Sequence, residues 1–177
     1  MTARGPVSKP IIWILSLILV GVGVDQATKA IAIATLTPGV PVRVVADLLQ
    51  LQLLRNPGAA FSTGSSMTVV FSVLAVIVLI AVSVWVVPKV HSRVWAIAVG
   101  LGMAGITGNF IDRVFRAPGP LRGYVVDFFA VKYFAVFNVA DIMLTAAAVL
   151  IVLIAMVFKI DMSGRRVTVG EDTRQVG

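Results

Sequence analysis

The chain contains no cysteine, which excludes disulfides, thiolate catalysis and cysteine-ligated metal. Its one histidine is His91 and no HExxH pattern exists, so a histidine-ligated zinc site within the chain is not expected. Charge is scarce as well. Only 13% of residues are charged, against about 25% in a soluble globular domain. Negative charge is scarcest, with eight acidic residues against fifteen basic ones. In its place stand long apolar runs: 59% of residues are hydrophobic and the mean hydropathy is +1.01. These values define an integral membrane protein. A length of 177 residues allows one compact bundle and leaves no separate soluble domain. The net charge of +7 lies mostly in flanks and loops, where it suits anionic lipid headgroups better than nucleic acid.

Four stretches reach the roughly 20 residues that a bilayer span requires. They run from about Ile11 to Ala34, Met67 to Val87, Val94 to Ile111 and Val139 to Phe158. The expectation is an all-α membrane protein of four helices, one domain over 1–159 followed by a polar tail at 160–177. The first run continues past its polar interruption Asp25-Gln26-Ala27-Thr28-Lys29 with no small-residue cleavage pattern, so it does not read as a removable signal peptide. With both termini inside, Arg4, Lys9, Lys89, Arg93, Lys159, Arg165, Arg166 and Arg174 fall inside, and Arg43, Arg55, Arg113, Arg116, Arg122 and Lys132 outside. That asymmetry favours cytoplasmic termini.

The two outer segments are then Thr35–Ser66 and Arg113–Asn138. Val40-Pro41-Val42-Arg43-Val44 and Leu49-Gln50-Leu51-Gln52-Leu53 alternate with period two, which predicts strands of a small extracytoplasmic sheet. Asn56-Pro57-Gly58-Ala59-Ala60-Phe61 reads as a turn. The second segment has a turn at Ala117-Pro118-Gly119-Pro120. It then becomes apolar and aromatic over Tyr124 to Phe129 and Tyr133 to Phe137, residues suited to the headgroup level.

Four carboxylates, Asp25, Asp112, Asp127 and Asp141, lie in or beside the spans, and each is costly there unless partnered or employed. Asp25 and Lys29 share a helix face and read either as a structural ion pair or as support for a nearby site. Gly100, Ala104 and Gly108 form a close-packing face that runs into Asn109, Asp112 and Arg113. Arg113 offsets Asp112 by adjacency. Asn138 and Asp141 fit a helix cap with an acid in the first turn. Asp127, flanked by Val125, Val126, Phe128 and Phe129, has no such structural excuse. If Asp127 and Asp141 meet, the two share a proton, one serving as base toward water and the other as acid toward a carbonyl. That chemistry needs neither metal nor thiol.

Five blocks in this order resemble the lipoprotein signal peptidases (signal peptidase II), the intramembrane aspartic peptidases of bacteria. They are Asp25-Gln26-Ala27-Thr28-Lys29, Asn56-Pro57-Gly58-Ala59-Ala60-Phe61, Gly105 to Arg113, Val125-Val126-Asp127-Phe128 and Phe137-Asn138-Val139-Ala140-Asp141. The resemblance implies cleavage of a prolipoprotein signal peptide before a diacylglyceryl-modified cysteine, in the bacterial cell membrane, with the site facing outward. It implies Asp127 and Asp141 as the catalytic pair. It implies Asp25, Lys29, Asn56, Asn109, Asp112, Arg113 and Asn138 as substrate-binding or supporting residues. No cofactor is implied. The implied partners are lipid-modified precursors and membrane phospholipids, with the enzyme a monomer and the antibiotic globomycin its groove-binding inhibitor. The competing class is a proton-coupled carrier using Asp25, Lys29 and Asp112 as a relay. The clustering of polar residues at one end of the spans, and the lack of inverted repeats, weigh against it.

Overall fold

A computed structural model of the chain describes residues 8–58 and 65–167. Ala59, Ala60 and Phe61 of the expected turn lie outside the described residues. Among the described residues four helices are long and apolar enough to cross a membrane, spanning Pro10–Thr35, Met67–Lys89, Arg93–Phe115 and Val139–Val157. They belong to α1 (Ser8–Thr35), α2 (Ser65–Ala81), α3 (Arg93–Phe115) and α4 (Val139–Val152). The ends of α2 and α4 widen into single π-helical turns at Val82–Val86 and Leu153–Val157. Most of their surface is exposed Leu, Ile and Val, as a lipid-facing bundle requires.

The centre of the bundle is α3. Half of its apolar window is buried, far more than in any other span. Small residues make that possible. A methyl group at Gly105 would lie 2.6 Å from the Ala140 carbonyl, and one at Gly100 would lie 3.0 Å from Leu17. Where lipid removes the hydrophobic drive between helices, such backbone approach supplies the packing. The expected Gly100–Ala104–Gly108 face is therefore the seam of α3 against α1 and α4. The polar block at Asp25 does not interrupt α1. Likewise α3 continues through Asp112 and Arg113 to Phe115, so both side chains project from its last turn.

Both long connections fold at the same end of the bundle into one antiparallel sheet of order β1-β2-β3-β4. Its strands are β1 (Val42–Val45), β2 (Leu49–Asn56), β3 (Val125–Val131) and β4 (Val136–Phe137). The alternating segments supply β1 and β2. The aromatic stretches read from sequence as a headgroup-level loop form β3 and β4. A bulge between Leu51 and Leu54 shifts the register, so that Leu54, Arg55 and Asn56 pair with Asp127, Val126 and Val125. Asn56 and Asp127 thereby share one face of the sheet.

At the opposite end, the chain after α4 turns back, pairing Ile160 with Arg166. The Met162 carbonyl accepts the backbone N–H groups of His91 and Ser92 at 2.9 and 3.2 Å, beside the N-terminus of α3. Trp95 Nε1 donates to the Ile160 carbonyl at 3.0 Å.

Candidate active site

Lys29 is the hub of the polar end of the bundle. Its Nζ lies 2.9 Å from Asp25 Oδ2, 2.9 Å from Asp112 Oδ2 and 3.0 Å from Asn109 Oδ1. An ammonium has three hydrogens, and all three are used. Lys29, Asp25 and Asp112 are all 0% exposed.

The two carboxylates do more than neutralise Lys29. Asp25 Oδ1 accepts the backbone N–H of Ala140 at 2.9 Å, one of the unpaired donors that open α4. Asp112 Oδ2 accepts the N–H of Val126 at 3.1 Å, on β3. Each thus fastens the residue immediately before a candidate aspartate: Ala140 before Asp141, Val126 before Asp127. Sequence alone pairs Asp112 with Arg113. The structure corrects this, because Asp112 Oδ1 receives Arg116 Nε at 2.6 Å, one helical turn away. Arg113 instead donates from Nη1 to the Asn109 carbonyl at 3.2 Å and lies 5.9 Å from the Phe71 ring centroid.

Three asparagines frame the remaining pair. Asn138 caps α4: its side chain accepts the Asp141 N–H at 3.1 Å, and Asp141 Oδ2 accepts the Asn138 N–H at 3.1 Å. The same Asn138 amide donates to Asp127 Oδ1 at 2.6 Å and to Asn109 Oδ1 at 3.1 Å. Asn109 Nδ2 donates to Asp141 Oδ1 at 2.8 Å, and Asn56 Nδ2 to Asp127 Oδ2 at 2.9 Å. The cap read from sequence is thus formed by Asn138 and Asp141, and the same Asn138 amide also reaches Asp127. All nine residues singled out from sequence lie in this neighbourhood, with Arg113 at its edge.

Asp127 is 1% exposed, and burial pushes its carboxyl up to about 6. The Asn56 amide opposes that rise, the negative charge of Asp141 adds to it, and Asn138 and Lys29 oppose it.

Sequence reasoning left out three contributors. Gln26 Nε2 donates to Asp25, to the Gly108 carbonyl and to Asp112 at 3.0–3.2 Å. Arg116 brings the second positive charge that balances Asp25 and Asp112. Its four-residue spacing from Asp112 was the available signal. Ser72, buried on α2, ties down the link before β3 by donating to the Leu121 carbonyl at 2.8 Å.

Four spans, a sheet at one end and an enclosed cluster of partnered carboxylates define a polytopic membrane protein with a built polar site. Two solved structures share the architecture, both described as a bacterial membrane enzyme determined by the in meso method, at 2.3 and 1.9 Å resolution. Each aligns with a TM-score of 0.71; they are 32% and 33% identical and cover 82% and 81% of this chain and 88% and 92% of theirs. Residues 17–158 match the family described as Signal peptidase (SPase) II, and the chain belongs to it. A lipoprotein signal peptidase of Mycolicibacterium smegmatis is 45% identical over 84% of this chain and 63% of its own length. The chain thus spans somewhat less than two thirds of that relative. The lipoprotein signal peptidase of Mycobacterium tuberculosis is 41% identical over 86% of this chain and 76% of its own length.

Proposed function

We propose that the protein is an aspartic endopeptidase that removes the signal peptide of prolipoproteins, cleaving before a diacylglyceryl-modified cysteine. Family membership supports the substrate class. The amide frame supports the chemistry: Asn138 donates to the Asp127 carboxylate from its side chain and to the Asp141 carboxylate from its backbone N–H, so one residue holds both carboxylates in register. The carrier reading is not favoured. Asp25, Lys29 and Asp112 spend their charges on one another and on fixed backbone N–H groups, which suits a scaffold rather than a relay.

In this mechanism the precursor enters sideways from the lipid. One aspartate, ionised, takes a proton from water. The resulting hydroxide attacks the scissile carbonyl while the other, protonated, hydrogen-bonds the developing oxyanion. The tetrahedral adduct collapses, the carbon–nitrogen bond breaks and the leaving amine receives a proton. The pair titrates as a unit. Burial holds the Asp127 carboxyl up to about 6, so deprotonation near that pH removes the proton the pair shares. Cleavage of a diacylglyceryl-modified precursor by the purified protein is therefore expected without added metal, to be blocked by globomycin, and to decline on an alkaline limb near pH 6. Asn56→Ala removes a donor that favours the ionised form, so its limb moves to higher pH. A metal-dependent reaction, or a limb that Asn56→Ala leaves in place, contradicts the reading.

The proposed topology puts both termini in the cytoplasm and the sheet outside, on the basic-residue asymmetry. Because the chain lacks cysteine, single cysteines report cleanly. Tyr133→Cys, at a position 94% exposed, is expected to react with an impermeant maleimide in intact cells. Ser163→Cys is expected to react only after lysis. The reverse pattern inverts the topology.

A further inference from the structure

On the face of the sheet turned away from the aspartates lies a cavity of about 270 Å³, lined by Ile33, Arg55, Arg116, Ala117, Tyr124 and Val126. The register fixes its side. Asn56 and Asp127 share one face, whereas Arg55 and Val126, paired in the adjacent row, present the other. An occupant of this cavity therefore does not compete for the Asp127 carboxylate.

Two guanidinium groups converge here. Arg116 spends Nε on Asp112 and reaches Gln26 Oε1 from Nη2 at 3.4 Å, and among the described residues Nη1 meets no acceptor; its side chain is 26% exposed. Arg55 has no ion pair or hydrogen bond from its side chain among the described residues. Among the described residues no carboxylate lines the cavity. The charges of Asp25 and Asp112 are already balanced by Lys29 and Arg116, so Arg55 is the surplus cation. Tyr124 adds a hydroxyl. The remaining wall is Ile33, 39% exposed on the last turns of the membrane-spanning α1.

We propose that Arg55, Arg116 and Tyr124 form a binding site for the phosphodiester of an anionic phospholipid headgroup, with the acyl chains descending along α1 past Ile33. Guanidinium forks match the geometry of phosphate oxygens, and two around one small cavity suit a single phosphate. The apolar wall on a spanning helix selects a lipid over a free anion. The proposal stands apart from the peptidase reading, because it concerns the opposite face and is tested by binding.

The test titrates the purified full chain, in a neutral detergent, with dioctanoyl phosphatidylglycerol, reading the thermal midpoint. Dioctanoylglycerol and inorganic phosphate are run in parallel. A saturable rise is expected with the phospholipid alone. Arg55→Gln is expected to weaken it at least about tenfold, the loss of charge-assisted hydrogen bonds. Arg122→Gln, at an exposed cation outside the cavity, is expected to leave it intact. Should Arg55→Gln fail to fold, Arg55→Lys keeps the charge, loses the fork and is expected to bind several-fold more weakly. Arg116 is not used, because it also holds Asp112. An equal rise with dioctanoylglycerol, a rise with inorganic phosphate alone, or equal loss in Arg122→Gln overturns the site.

Discussion

Asp127→Asn and Asp141→Asn are each expected to lower cleavage of a lipid-modified precursor by about 10³- to 10⁴-fold or more, while the protein still inserts and folds. The amide keeps the shape of the carboxyl but can neither take a proton from water nor deliver one. Folding survives for reasons that differ between the two. At position 127 both oxygens accept amide hydrogens, from Asn138 and Asn56, so an amide NH₂ there opposes one donor. That conflict costs about 1–3 kcal/mol. Against it stands relief from holding a buried charge. The displacement from 3.8 to about 6 corresponds to about 3 kcal/mol. The sign follows from proton linkage. A carboxyl whose folded pKa is raised disfavours the fold once ionised, so the relief grows as pH rises from about 4 and levels off above about 6. The melting temperature of Asp127→Asn relative to wild type should therefore improve between pH 5 and pH 8. At position 141 the capping bond to Asn138 can be kept by the amide oxygen, so the α4 terminus stays formed. Near-wild-type cleavage in either folded variant ends the two-aspartate mechanism.

The spans were legible because bilayer length and apolar composition leave few alternatives, and β1 and β2 because one face alternates with the other. Strand β3 was not. Val125, Val126, Asp127 and Phe128 are all buried, so both faces of that stretch are covered and no period of two survives in the sequence. The same burial gave Asp127 its isolated look, an acid with apolar neighbours along the chain and asparagine partners only across the fold. Asp141 was ambiguous because a cap and a site acid need the same residue at the same place. Asp112 was misassigned because adjacency in sequence is not adjacency on a helix. Arg113 turns a guanidinium nitrogen to the Asn109 carbonyl, whereas Arg116, one turn on, reaches the Asp112 carboxylate. The selection of Asp127 and Asp141 from four membrane-edge carboxylates came from the family resemblance. The structure adds a physical distinction: Asp25 and Asp112 are consumed by Lys29 and by backbone N–H groups, whereas the Asp127 side chain is held by side-chain amides, donors that bring no compensating charge.

The largest effect on stability is expected from Lys29→Met. Four charges lie together: Asp25 and Asp112 against Lys29 and Arg116. Removing the ammonium leaves one carboxylate in excess at positions 0% exposed. Breaking a buried pair in this way costs about 3–5 kcal/mol, well above the median worth of a surface pair. Asp25 and Asp112 also fasten the N–H groups of Ala140 and Val126, so their displacement loosens α4 and β3 together. Lys29→Met should therefore lower the melting temperature more than either aspartate-to-asparagine change at 127 or 141. Adding Asp25→Asn restores the balance, leaving Asp112 with Arg116, while the asparagine oxygen still accepts from Ala140. The double variant is expected to regain most of the lost stability. It is not expected to regain activity, because Asn109 Oδ1 has lost the Lys29 ammonium and is left with the neutral Asn138 amide, and Asn109 is what holds Asp141 Oδ1. Stability and cleavage recovering together in Lys29→Met/Asp25→Asn would reduce Lys29 to a counter-ion; recovery of stability alone makes it the residue that positions Asn109 for the reaction.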